Sequence, residues 1–117
     1  MHELSICRGL IDQLTALAKS NGAVAVARAE VEVGLLAGVE ARLLESAFGI
    51  ARSGTVAENA TLETKAVAPR ILCAACGVES NVTLSDLRCP RCRGARTTLT
   101  RGQELILARV ELVMADA

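Results

Sequence analysis

The chain has 117 residues, 51% of them apolar and 22% charged, with 13 basic and 13 acidic side chains and no net formal charge. That apolar fraction excludes intrinsic disorder, and only 9 glycines and 2 prolines exclude the fibrous classes. No apolar run is long enough to span a bilayer, and Met1-His2-Glu3-Leu4 lacks the basic-then-apolar pattern of a secretory leader, so a cytoplasmic chain of one domain with a small subdomain is expected.

Residues 4–20 carry Leu4, Cys7, Leu10, Ile11, Leu14, Leu17 and Ala18 at three- and four-residue spacing, the stripe of an amphipathic helix. Asn21-Gly22 supplies its stop, because both residues tolerate the left-handed conformation that ends helices. The period then changes to two over residues 23–35. Ala25, Ala27, Ala29, Val31, Val33 and Leu35 are expected on one face, with Arg28, Glu30 and Glu32 on the other. A second helix is expected over residues 40–53, with Leu43, Leu44, Ala47, Phe48 and Ala51 as its stripe and Gly54 as its stop. A weaker strand signal follows, with Ala60, Leu62, Thr64 and Ala66 against Glu63 and Lys65. The last segment places Ile106, Ala108, Val110, Leu112 and Met114 opposite Arg109 and Glu111. These elements predict an α+β fold: two helices packed on a small, mainly antiparallel sheet, with an inserted zinc-ribbon module. The division expected is residues 1–69 plus 102–117 for the α+β domain and residues 70–101 for the insert, with hinges at Ala68-Pro69 and Gly102.

The insert differs in composition. It holds four of the five cysteines and six arginines against Glu79 and Asp86, a net charge of +4, whereas residues 1–69 and 102–117 each carry −2. Below about 40 residues a chain segment needs a metal or disulfides to hold a core. Cys73-Ala-Ala-Cys76 and Cys89-Pro-Arg-Cys92 are two C-x-x-C pairs. A two-residue gap lets a tight turn aim both thiolates at one ion, and two such knuckles complete a tetrahedron. Gly77 and Pro90 suit the sharp backbone, and Val82-Thr83-Leu84 and Thr97-Thr98-Leu99 are expected as its short strands. Disulfides would need an oxidising compartment, and a redox site would need a single C-x-x-C at a helix start. A structural zinc on Cys73, Cys76, Cys89 and Cys92 is the favoured reading, with redox chemistry and iron as the alternatives. Four thiolates leave no open position for water, so the site is not expected to be catalytic. Arg88, Arg91 and Arg93 would offset the charge of the zinc–thiolate centre.

Scarcity excludes further chemistry. The only histidine is His2, so a Ser-His-Asp or Cys-His site would depend on the chain end, and no zinc-enzyme motif exists. With no Trp, no Tyr and only Phe48, base-stacking platforms for single-stranded nucleic acid are excluded, and nucleic acid is not favoured as a partner. A zinc-ribbon adaptor for nucleic acid or protein is the alternative function. Cys7 falls on the apolar stripe of the first helix, where a buried small hydrophobe is the plain reading. His2 is most simply a solvated terminal residue. Its place also permits chelation: the Met1 amine with the amide and imidazole nitrogens of His2 form fused rings around one cation. Glu3 can add a carboxylate or its amide. Such a nitrogen-rich set suits Ni(II) or Cu(II) rather than tetrahedral zinc.

Met1-His2-Glu3-Leu4-Ser5-Ile6, Val33-Gly34-Leu35-Leu36, the run from Ala47-Phe48 to Gly54-Thr55, the paired C-x-x-C motifs and Gly102-Gln103-Glu104-Leu105 occur in that order along the chain. Together they make a sequence that resembles the HypA/HybF nickel-incorporation factors of [NiFe] hydrogenases over its full length. The resemblance implies a metallochaperone and not an enzyme. It implies Ni(II) as a transient cargo on Met1, His2 and Glu3, and a structural zinc on Cys73, Cys76, Cys89 and Cys92. The implied partners are a HypB-type nickel GTPase and the hydrogenase large-subunit precursor; some relatives also serve urease maturation. No membrane partner is implied.

Overall fold

A computed structural model describes residues 2–115, with His2 contributing its backbone. Eight elements follow in order: α1 (His2–Ser20), β1 (Ala23–Gly34), α2 (Ala41–Ala51), β2 (Thr61–Val67), β3 (Arg70–Cys73), β4 (Glu79–Asn81), β5 (Thr97–Arg101) and β6 (Leu105–Met114). The strands form two three-stranded sheets, β2-β1-β6 and β4-β3-β5. The α+β expectation holds, and among the described residues only the β1–β2 pairing is parallel. That pairing follows from the connection: α2 carries the chain from the end of β1 back to the start of β2, as parallel neighbours require.

The helices lie on one face of the first sheet. Cys7, Leu10, Ile11, Leu14 and Ala18 of α1 are buried, and Leu17, expected in the same stripe, is at its exposed edge. The helix ends where Asn21 donates from Nδ2 to the Leu17 carbonyl at 2.7 Å and Gly22 takes φ +70°. From α2, Leu44 and Phe48 are buried, whereas Leu43 points outward and is 50% exposed.

The strand faces depart from strict alternation. In β1 the register shifts between Val26 and Arg28, which pair with Leu112 and Glu111, so Ala27 is an extra, bulged residue. The bulge flips the face: Val26 is buried and Ala27 exposed, the reverse of the sequence expectation, while Ala29, Val31 and Val33 lie inward as expected. In β6 the extra residue is Ala108, between Leu107 opposite Val31 and Arg109 opposite Glu30. Leu105, Leu107, Val110 and Leu112 therefore pack on the core, while Ile106, Ala108 and Met114, expected inside, are exposed. β1 ends at Gly34, and Leu35 is exposed.

The second sheet has a far smaller core: Ile71, Cys73 and Cys89, with Val82 and Leu99 against it. β3 was not expected from the sequence. β4 lies at Glu79–Asn81, ahead of the expected Val82-Thr83-Leu84, where Thr83 instead makes an isolated bridge to Asp86. With two cores end to end the molecule is long, 58 × 31 × 16 Å, with a radius of gyration of 17.6 Å. A single compact domain of about 100 residues would have about 13 Å.

Candidate metal centre

Cys73 closes β3, and Cys76 follows one tight turn later; Cys89 and Cys92 sit in the loop between β4 and β5. Their four Sγ atoms all lie within 4.8 Å of one another. Cys73 and Cys92 are 3.6 Å apart at sulfur, as are Cys76 and Cys89. The edge of a tetrahedron built on metal–sulfur bonds of about 2.3 Å is about 3.8 Å, so the cluster has the dimensions of a four-thiolate zinc site. No disulfide joins them. The donor set fits zinc, and it closes the coordination shell.

The two knuckles share one hydrogen-bond pattern. The Gly77 N–H donates to the Cys73 carbonyl at 2.9 Å, and the Arg93 N–H donates to the Cys89 carbonyl at 2.8 Å. The Cys73 N–H reaches the Val78 carbonyl and the Cys89 N–H the Gly94 carbonyl, both at 3.0 Å. Gly77 has φ +69° and Arg93 φ +63°, the left-handed region in both turns. One further bond, from the Ala74 N–H to the Arg96 carbonyl at 2.9 Å, ties the first knuckle to the run leading into β5.

The turns are polar where thiolates need them to be. Backbone N–H groups of Cys76 and Cys92 aim at the first cysteine of their own pair and hold the Cys73 thiol below its ordinary range and Cys89 down at about 6. At Cys76 the Val78 N–H acts in the same direction, but the neighbouring sulfurs of Cys89 and Cys73 outweigh it and push the thiol up to about 11. Cys92 is likewise raised, by Cys73 and Cys89 against the pull of the Gly94 N–H. Four thiols this close cannot all ionise beside one another alone; a divalent cation lets them, with release of protons.

The arginines do not all do what their sequence position suggests. Arg88 grips Asp86, with Nε 2.9 Å from Oδ1 and Nη2 3.1 Å from Oδ2, and its own N–H donates to Oδ1 at 3.1 Å. Arg93 reaches the other oxygen at 3.4 Å. Hydrogen bonds from Arg88 hold the Asp86 carboxyl well below the usual carboxylate range, with Arg93 adding its charge. Arg88 and Arg93 thus brace the loop before the second knuckle. Arg91 is exposed and joins no ion pair among the described residues.

The expected nickel donors lie on another element. Met1 falls outside the described residues, and so does the side chain of His2; the backbone of His2 opens α1, and Glu3 is half-buried in its first turn. Cys7, one turn further on, is fully buried and donates from Sγ to the Leu44 carbonyl at 3.3 Å. Burial, with the Glu3 carboxylate adding to it, pushes its thiol up, which suits a packed thiol and not a ligand.

A family model described as "Hydrogenase/urease nickel incorporation, metallochaperone, hypA" matches residues 1–112 of this chain. The chain belongs to the HypA family. It is 42% identical over 113 residues to the hydrogenase maturation factor HypA of Nitrosospira multiformis, covering 97% of this chain and 98% of that one. To the HypA of Aquifex aeolicus it is 38% identical over 112 residues, covering 96% and 97%. Among solved structures it is similar to the Ni metallochaperone HypA from Helicobacter pylori, with TM-score 0.76, 25% identity and coverage of 97% and 98%. A second solved HypA structure gives TM-score 0.77 at 26% identity and covers 98% of each chain. The likeness to these two structures runs over nearly the whole chain, both sheets included. None of the described helices is long and apolar enough to cross a membrane.

Proposed function

We propose that this HypA-family chain is a cytoplasmic nickel carrier rather than an enzyme. It takes up Ni(II) at the Met1 amine, His2 and Glu3, and hands it to the [NiFe] hydrogenase large-subunit precursor in concert with a HypB-type GTPase. In this reading the chain divides into a nickel-binding part, residues 1–69 plus 102–117, and a zinc part, residues 70–101. Zinc on Cys73, Cys76, Cys89 and Cys92 is structural, and urease maturation proteins are further candidates for the acceptor. The observation that carries the reading is the family match over residues 1–112, which takes in the His2-Glu3 start and both cysteine pairs together.

The chemistry of the donors supports a carrier. Donors on a chain terminus can be met by an acceptor's ligands, so cargo can leave by ligand exchange. Amine and imidazole lose protons on binding, with ordinary pKa values of about 7.7–8.0 and about 6.5, so nickel affinity rises with pH across that range. The test is metal titration of untagged, zinc-loaded protein, with one tight zinc and one exchangeable nickel expected. His2→Ala removes the imidazole and abolishes tight nickel binding with zinc content and helix content unchanged. Residues added before Met1 convert the amine to an amide and weaken nickel in the same way. Unaltered nickel affinity in His2→Ala overturns the assignment.

A further inference from the structure

Two motifs of the sequence lie outside both metal sites: Val33-Gly34-Leu35-Leu36 at the end of β1, and Gly102-Gln103-Glu104-Leu105 between β5 and β6. They are distant in the chain and meet at the seam between the two sheets. A Cβ on Gly34 would overlap the Gly102 carbonyl group, so the backbones touch there with no room for any side chain. Gly102 itself has φ +98°, and a Cβ on it would stand 2.7 Å from Cα of Pro69, in the connection from β2 to β3. Pro69 is fully buried.

Hydrogen bonds stitch the same place. The Leu36 N–H donates to the Gly102 carbonyl at 2.7 Å, Gly34 N–H to Glu104 at 2.9 Å and Leu35 N–H to Val67 at 3.0 Å. The Val82 N–H donates to the Pro69 carbonyl at 3.0 Å from the zinc side. Arg101, the last residue of β5, pairs with Glu32 of β1 at 3.3 Å. Of the two connections between the sheets, Gly102-Gln103-Glu104 is therefore held against the end of β1, and Pro69 of the other lies against Gly102. A swivel needs free backbone at its pivot, and here the carbonyls of Val67, Pro69, Gly102 and Glu104 each accept a hydrogen bond while Gly34, Gly102 and Pro69 are in backbone contact.

We infer that the seam is a locked elbow: Gly34, Gly102 and Pro69 clamp the zinc-bearing sheet to the helical sheet, so that the two move as one rigid body. Gly34 is a positioning residue whose missing side chain lets the clamp close. The inference is independent of the nickel reading, and its test needs no nickel.

Nitrogen-15 relaxation on the full, zinc-loaded chain decides it. Amides of β3, β4 and β5 are expected to report the same elongated tumbling as those of β1 and β6; a separate, shorter correlation time for the zinc-side strands overturns the elbow. Hydrogen exchange at Leu36 and Gly34 is expected to be slowed on the order of a hundredfold or more relative to a disordered chain, and unprotected amides there also overturn it. Gly34→Ala should lose the common tumbling and the Leu36 protection while keeping one zinc per chain. A Gly34→Ala protein that still tumbles as one body overturns the role of the close contact. Should that variant fail to fold, the two measurements on the unaltered chain decide the matter.

Discussion

Gly77 and Arg93 occupy the same place in two turns with the same hydrogen bonds. Each is the fourth residue after the first cysteine of its pair, and each donates back to that cysteine's carbonyl with φ near +65°. Glycine adopts that conformation freely, whereas a residue with a side chain pays roughly 1–2 kcal/mol for it. Among the described residues Arg93 is the only non-glycine with positive φ. The difference teaches what shapes a knuckle. The shared hydrogen bonds, with N–H groups aimed at the first sulfur of each pair, go with the same turn in both; glycine eases it and is not required. The first knuckle relies on residue type. The second relies on bracing, because Asp86 fastens Arg88 and Arg93 beside it.

The largest effect comes from removing a ligand, which breaks both turns together. The second sheet's buried core is Ile71, Cys73 and Cys89 alone, two of them ligands, so it cannot survive without metal. Cys73→Ser should release zinc and unfold residues 70–101, seen as collapse of their amide dispersion. α1, α2 and the first sheet keep their twelve-residue core and stay folded. Next comes Gly77→Ala, which forces a Cβ into the left-handed turn. It should cost about 1–2 kcal/mol, read as roughly five- to thirtyfold easier loss of zinc to a chelator.

Asp86→Asn is smaller, since the ion pairs are exposed. The sign of its pH dependence follows from the depressed carboxyl. The stabilisation is complete above the ordinary carboxylate value of about 3.9 and is lost as acid titrates the folded carboxyl below it. Asp86→Asn should therefore melt earlier than the unaltered chain at neutral pH and low salt. The gap should narrow in high salt and close as pH falls below the carboxylate range. Thermal melts of the two proteins side by side check this, with zinc content followed at each pH so that the narrowing is read only where zinc is still bound.

What was legible in the sequence follows the same line between residue type and imposed geometry. The cysteine spacing exposed the metal centre because a C-x-x-C turn has few ways to fold. The helices were legible because Leu10, Ile11, Leu14, Leu44 and Phe48 contrast with polar neighbours at helical spacing. The bulges were hidden: Ala25, Ala27 and Ala29 fit either face of a strand, so alternation carried no contrast where β1 slips at Ala27. β3 is four residues long and gains its partners only when β4 and β5 return to it, which no local pattern announces. The contact of Gly34 with Gly102 was equally hidden, because a glycine shows neither its φ nor its neighbour until distant strands meet. The proposed nickel donors are the reverse case. His2 was visible as the chain's only histidine, and its role rests on the family and on titration.

The smallest expected effect bears most directly on the contrast between the knuckles. Arg93→Gly relieves the strained φ of the second turn and so makes it resemble the first. Against that gain stand the extra freedom glycine adds to the unfolded chain, about 0.5–1 kcal/mol, and the loss of an exposed 3.4 Å pair with Asp86. The net change should be a gain of about 1 kcal/mol or less. Arg93→Ala separates the contributions, since it drops the ion pair and keeps the strain. Zinc should therefore be held in the order Arg93→Gly, then the unaltered chain, then Arg93→Ala, in a chelator competition at neutral pH. If Arg93→Gly instead loses zinc faster than Arg93→Ala, the strain of a side chain at that φ matters less than the chain stiffness the side chain gives the turn. The second knuckle would then be kept in shape by its arginine's limited freedom rather than in spite of it.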